Sequence, residues 1–194
     1  QVSETIHAIF SRIEGHASIA IHLDDDGNVR DSKVQVLSLR GFEKFVEGKP
    51  AEELPRIVNR ICGICPWQHH MASNKAVDCC FGVTPPPAGR KLRELMQTIS
   101  HAEDKLLHFF FLAAADFVIG PDSDYAVRNV IGIARANPEL AKKVVQMRYM
   151  AKMMLEKFAG KAIHPVAGVV GGFSKPLLEE ERKEFLAKMH QLLD

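Results

Sequence analysis

Between residues 140 and 158 six apolar side chains, Leu140, Val144, Met147, Ala151, Met154 and Phe158, follow one another at spacings of four, three, four, three and four. That is the repeat of an α-helix with one apolar face, and such a face has to be buried against another element. A second stripe of the same period runs through Leu92, Leu95, Met96, Ile99, Ala102, Leu106 and Phe109 and stops near Gly120-Pro121. Bundle core is the default reading of both stripes, and their methionines fit it as adaptable gap-fillers. Phe109, Phe110 and Phe111 are expected in that core as well. Pro66–Phe81 reads as a further helix, ended by Gly82 and three prolines, and residues 51–60 as a short helical segment with Pro55 near its start. A last helix is expected to start near Ser174, with Glu179, Glu180 and Glu181 in its first turns, where acidic side chains complement the helix dipole. Residues 163–173, IHPVAGVVGGF, are apolar, glycine-rich and non-helical, and lack the spacing of a phosphate-binding loop.

The first 48 residues differ in kind. They hold five basic and eight acidic side chains, against 20 and 16 in the remainder. Ala17–Leu23 and residues 34–39 are β-branched and aliphatic, separated by Asp24-Asp25-Asp26-Gly27-Asn28, so the pattern is a hairpin. No later Glu completes a calcium loop of the EF-hand type, and the acidic run reads as a solvated turn. The expected fold is therefore α+β and mainly α. It comprises a β appendage over residues 1–48 and a helical domain over residues 49–194.

Composition narrows the functions. With 25 basic and 24 acidic residues the formal charge is +1, which gives no electrostatic case for nucleic acid or an anionic membrane surface. The longest apolar run, residues 109–115, is far short of the roughly 20 residues that span a bilayer. The opening QVSETIHAIF has neither the basic start nor the apolar stretch of a secretory signal, so cytoplasmic residence is expected. Four cysteines, at 62, 65, 79 and 80, are too few and too clustered for a disulfide framework, which points to a reducing compartment. Cys79 and Cys80 are expected to be buried as small hydrophobes.

Cys62 and Cys65, in Arg60-Ile61-Cys62-Gly63-Ile64-Cys65-Pro66, admit three chemistries. A thioredoxin-type pair follows a strand, yet residues 53–58 look helical here. A zinc site needs two more Cys or His ligands, and only His69 and His70 lie close in sequence. The third is a soft transition-metal site, since thiolates suit nickel and iron and the two-residue spacing lets both sulfurs converge. Pro66 in a first helical turn sets Cys65 at a helix N-terminus, which favours its thiolate. His69, four residues on, can reach back over that sulfur.

The segment from Arg60 through Cys62 and Cys65 to His69 resembles the first metal-binding motif of the large subunit of nickel–iron hydrogenases. Arg12-Ile13-Glu14-Gly15-His16 looks like that family's N-terminal RIEGH motif, and Arg40-Gly41-Phe42-Glu43 its RGxE segment. The loop from Ile163-His164-Pro165 to Gly171-Gly172 is similar to the form in its cytoplasmic, methanogen-type branch, the F420-non-reducing and heterodisulfide-reductase-associated enzymes. The resemblance covers essentially the whole chain.

The resemblance implies roles residue by residue. Cys62 would be a terminal thiolate on nickel and Cys65 would bridge nickel to an iron carrying diatomic ligands. Glu14 would pass protons between a thiolate and solvent. Glu43 would bind a magnesium or iron ion, an oxygen donor for a hard cation. His69 would donate to the bridging sulfur, while His16 and His164 read as structural. The reaction implied is reversible heterolytic cleavage of dihydrogen, with electrons passed to the iron–sulfur clusters of a small partner subunit. Heterodisulfide reductase subunits are further expected partners.

The family's second CxxC is not in this sequence, nor is the histidine that would complete the Glu43 site. Two expectations follow. The residues are the first portion of a longer or split subunit, or they form a shortened relative with a structural role in an electron-transfer complex. Either would leave an apolar face exposed and need an obligate partner. The quinone-reducing subunit of respiratory complex I, a third relative, generally lacks these cysteines, and their presence argues against it.

Overall fold

The structure, a computed structural model, describes residues 4–193. The chain divides into two compact units, Gln1–Gly41 and Phe42–Asp194.

The smaller unit is an antiparallel three-stranded meander of β1 (Glu4–Ile9), β2 (Ala17–Leu23) and β3 (Val29–Val36), in that order across the sheet. Ile6 opposes Ile21 across the first pair, and Ile19 opposes Val34 across the second. Only the central strand has buried positions, Ser18 and Ala20, two residues apart on one face as the pleat requires. The acidic run is a solvated turn held by one side chain. Asp24 Oδ1 accepts the backbone N–H of Asp26 at 3.0 Å and of Asn28 at 2.9 Å. The hairpin thus forms where the sequence places it, with β3 beginning five residues earlier than its β-branched run. Strand β1 adds a partner that the sequence alone does not announce.

The larger unit is helical and gives the chain its mainly α character. It opens with α1 (Phe42–Phe45), a 3-10 turn at Ala51–Glu53, α2 (Leu54–Ile57) and a second 3-10 turn at Val58–Ile61. Helix α3 (Pro66–Phe81) follows and ends where Gly82 takes the left-handed conformation, φ 62°. There a side chain at Cβ would be strained, and the Gly82 N–H closes the last turn on the Cys79 carbonyl at 3.1 Å. Helix α4 (Pro87–Leu107) runs through a π-helical stretch, His108–Ala113, into α5 (Ala114–Val118). Helix α6 (Val130–Ala136) is capped by Asn129, and α7 (Pro138–Ala159) by Asn137. Strands β4 (Gly168–Val169) and β5 (Gly172–Phe173) form a small hairpin, and α8 (Glu179–Leu193) closes the unit.

The two periodic stripes meet as expected. Met96 and Ile99 of α4 pack with Ala151, Met154, Leu155 and Phe158 of α7, joined by Trp67 and Met71 of α3 and Phe185 of α8. Phe158 is the hub, stacked on Phe173 at 4.8 Å and edge-on to Phe185 at 6.2 Å.

Three expectations change. Helix α8 starts at Glu179 rather than Ser174, because Glu181 turns back to accept the Leu178 N–H at 3.1 Å and the Lys175 ammonium at 2.7 Å, fixing the entry there. Cys79 and Cys80 are exposed, not buried, since the inward face of α3 at that end is taken by Val77 and Asp78. Phe109 and Phe111 lie outside the core, 42% and 38% exposed, on a π-helical turn that breaks the 3.6-residue phase of α4. Only Phe110 packs inward, against the small Ala114, Ala115 and Ile133 cluster.

Candidate metal centre

The cysteine loop is strung between two helical supports. The 3-10 turn Val58–Ile61 delivers Cys62 in an extended conformation, φ −136° and ψ 131°, and Cys65 caps the N-terminus of α3 with Pro66 as its first residue. A helix therefore starts at the second cysteine and a helical turn, not a strand, precedes the first. That arrangement disfavours the thioredoxin reading. Cys62 is buried and Cys65 half-buried.

The Cys62 and Cys65 Sγ atoms meet as a disulfide, with Cα atoms 5.5 Å apart. Two separate thiolates were the expectation. The tight loop brings the Cα atoms into the range that also permits a bridge. Reduction is required before either sulfur can act as a ligand, since the thiolate is the metal-binding form. The Cys65 N–H points at Cys62 Sγ, 3.0 Å away. A backbone donor aimed at sulfur stabilises negative charge there, so it favours a thiolate once the pair is reduced. His69 completes the cluster: one ligand atom each from Cys62, Cys65 and His69 lie within 4.8 Å of one another. Two soft sulfurs fit nickel or iron in donor chemistry and provide part of a coordination sphere, with the His69 imidazole beside them.

The other two site candidates are carried by other elements. Glu14 is exposed in the bend at residues 11–15 of the smaller unit, beside Gly15, whose φ is +86°. Glu43 is exposed in the first turn of α1 and is not part of the Cys62–Cys65–His69 cluster.

Around the cysteine loop the structure reveals a buried polar framework that sequence reasoning missed. His70 is fully buried; its Nδ1 lies 2.7 Å from the Pro55 carbonyl and its Nε2 3.0 Å from the Gly168 N–H. An amide can only donate and a carbonyl only accept, so Nδ1 carries the proton and the ring is neutral. Burial, reinforced by the positive fields of Arg93 and Arg56, holds its pKa below the ordinary 6.5, against the Pro55 carbonyl, which favours the proton. Asn59 donates to the Pro165 carbonyl at 2.9 Å, and His164 Nδ1 donates to the Asn59 carbonyl at 2.9 Å. His164 makes this bond from a left-handed backbone, φ 58°, a strained conformation for a residue with a Cβ.

Two turns beyond His70 along α3, Asp78 forms a buried pair with Arg93 of α4, Nη1 to Oδ2 at 2.5 Å. Arg93 also donates to the carbonyls of Gly172 at 2.9 Å and Val169 at 2.7 Å, and Asp78 accepts the Gly171 N–H at 2.8 Å. Burial alone would raise the Asp78 pKa; the Arg93 and Gly171 donors outweigh it and hold it below the ordinary 3.8. The glycine-rich segment is thus clamped by α3 and α4. Elsewhere on α4, Glu103 is buried and paired with Arg148 at 2.6 Å and Lys152 at 3.4 Å. A signal was present in the sequence. His70, Asn74 and Asp78 stand four apart on the face of α3 that also carries Trp67, Met71 and Val77, and Arg93, Ser100 and Glu103, seven and three apart, lie among Met96 and Ile99 on the buried face of α4. Polar side chains at core spacing have to be satisfied inside the protein.

Among the described residues no helix is long and apolar enough to cross a membrane. Residues 8–39 match the HoxL-like sequence profile. Over 186 residues the chain is 50% identical to the vhu-type F420-non-reducing hydrogenase subunit of Methanococcus voltae, covering 96% of this chain and 44% of the relative. It is 48% identical over 181 residues to the corresponding F420-non-reducing hydrogenase subunit of Methanothermobacter thermautotrophicus, covering 92% of this chain and 38% of the relative. The solved structure of an NAD+-reducing [NiFe]-hydrogenase in the H2-reduced state matches with a TM-score of 0.87 at 39% identity, over 99% of this chain and 43% of that one. The chain spans less than half the length of these relatives. The sequence profile described as nickel-dependent hydrogenase matches residues 40–148, more than half of the chain, and on that match the chain belongs to the nickel-dependent hydrogenase family.

Proposed function

We propose that this chain contributes the first part of the nickel–iron ligand set in a hydrogenase large subunit of the F420-non-reducing type. The observation that carries the reading is the convergence of Cys62, Cys65 and His69 donor atoms within 4.8 Å at the start of α3 in a chain of this family. When bound, a nickel–iron centre supplies the redox-active metal pair for reversible heterolytic cleavage of dihydrogen.

The chain's own residues divide the remaining work. Cys62 would hold nickel as a terminal thiolate, and Cys65 would share its sulfur between nickel and iron. The Cys65 N–H supports charge on Cys62 from 3.0 Å. His69 donates to the Cys65 sulfur and tempers its basicity. Glu14 takes up a proton at its carboxylate and returns it to solvent, a role its exposure suits. Glu43 offers carboxylate oxygens to a magnesium or iron ion. Electrons leave to an iron–sulfur partner, in keeping with the methanogen relatives, each of which is one subunit of its hydrogenase. Heterodisulfide reductase subunits and a cytoplasmic setting belong to the same proposal.

The test is dihydrogen-dependent dye reduction, with metal analysis, on the complex purified from its native source. Nickel together with turnover is the expected result. An intact complex with iron–sulfur clusters and no nickel would instead assign the chain a structural role.

A further inference from the structure

We propose that His70 is a positioning residue for the Cys62–Cys65 pair, acting as a staple across the base of the cysteine loop. The inference rests on reading that pair as a preorganised ligand set. Pro55 lies seven residues before Cys62 and His70 five residues after Cys65, so the Nδ1–Pro55 bond of 2.7 Å closes the segment that contains both sulfurs. The loop's two supports, α2 with its following 3-10 turn and the start of α3, are held at a fixed separation by that one ring. The other ring nitrogen is equally committed. Nε2 accepts the Gly168 N–H at 3.0 Å, so the glycine-rich segment packs against the same staple. Asn59, next but two before Cys62, is tied to that segment through Pro165 and His164. Two independent lines of hydrogen bonds therefore connect the approach to Cys62 with residues 164–168.

Space at Gly168 supports the assignment. A Cβ there would stand 2.7 Å from His70 Nε2 and 2.4 Å from Asn74 Nδ2, so only glycine lets the amide approach the ring. A change almost a hundred residues from His70 in sequence should thus act through it.

His70 touches no reacting atom in this account, and the test must separate positioning from stability. In the full chain, the equilibrium between Cys62–Cys65 dithiol and disulfide against dithiothreitol reports the effective concentration of one sulfur at the other, without a metal. His70→Ala should lower that concentration about tenfold, the worth of one buried hydrogen bond lost. Gly168→Ala should lower it in the same direction. His70→Gln keeps a donor and an acceptor on a neutral side chain and should restore most of the loss. Val144→Ala, in α7 and in neither line of bonds, serves as a control for general destabilisation and should leave the value unchanged. An unchanged value in His70→Ala overturns the proposal, as does an equal fall in Val144→Ala at matched melting temperature. The outcome does not depend on nickel. A tenfold fall in a protein that never carries nickel would leave the staple standing and remove only the hydrogenase reading.

Discussion

Individual residues decide whether this site can hold a metal. Cys65 is the sharpest case, because the hydrogenase reading has it shared between two metals while its side chain makes no capping hydrogen bond to α3. Cys65→Ser should abolish dihydrogen-dependent dye reduction yet leave association with the iron–sulfur partner intact, as judged by co-purification; undiminished turnover would remove Cys65 from the site. His70 carries a pH signature. Its pKa is depressed in the folded chain, so the unfolded chain takes up the proton first as pH falls below about 6.5, and stability declines from there down through the folded pKa. Asp78 adds a second loss below its ordinary 3.8, as its paired carboxylate is forced to protonate. Urea midpoints should therefore fall between pH 7.5 and pH 5.5. That part of the decline should flatten in His70→Gln, and an identical slope in the variant would show that His70 is not its source.

At the scale of elements, the contacts between α3, α4 and the β4–β5 hairpin clamp the glycine-rich segment against the helical core. Arg93→Met would leave Asp78 buried without its cation, at a cost of about 3–5 kcal/mol; removing both charges in Asp78→Asn with Arg93→Met should recover part of it, as read by urea denaturation. Phe158→Ala should cost about 3–5 kcal/mol, because its fully buried ring links α7 to Phe173 and Phe185. A loss under about 1 kcal/mol in either single variant would contradict the packing described. These elements were legible in the sequence to different degrees. Helices α4 and α7 were readable because their apolar side chains recur at helical spacing, and α3 because Pro66 and the Gly82 stop bound it, so local signals sufficed. Strand β1 was not, because ETIHAI becomes a strand only by pairing with β2, a contact outside its own window. The π-helical turn at residues 108–113 was hidden in the same way, since FFFLA reads as core until the phase of the helix slips. In the site, the CxxC spacing and the four-residue step to His69 anticipated that the side chains of Cys62, Cys65 and His69 lie together. The hydrogen bonds of His70, Asn59 and Arg93 could not be read in the same way, because they reach the backbone of a segment 79 to 106 residues away.

For the molecule as a whole, the proposed function makes this chain one contributor to a larger assembly. Its cluster offers two sulfurs and an imidazole, and the relatives it matches are more than twice its length. The central claim is that the sulfurs at 62 and 65 hold nickel. X-ray absorption at the nickel edge of the complex purified from its native source under reducing conditions addresses it directly. The account predicts a sulfur-rich shell around nickel that loses sulfur scattering in Cys62→Ser and Cys65→Ser. Zinc in place of nickel, or a Cys62–Cys65 disulfide that persists in the reduced complex, would contradict it.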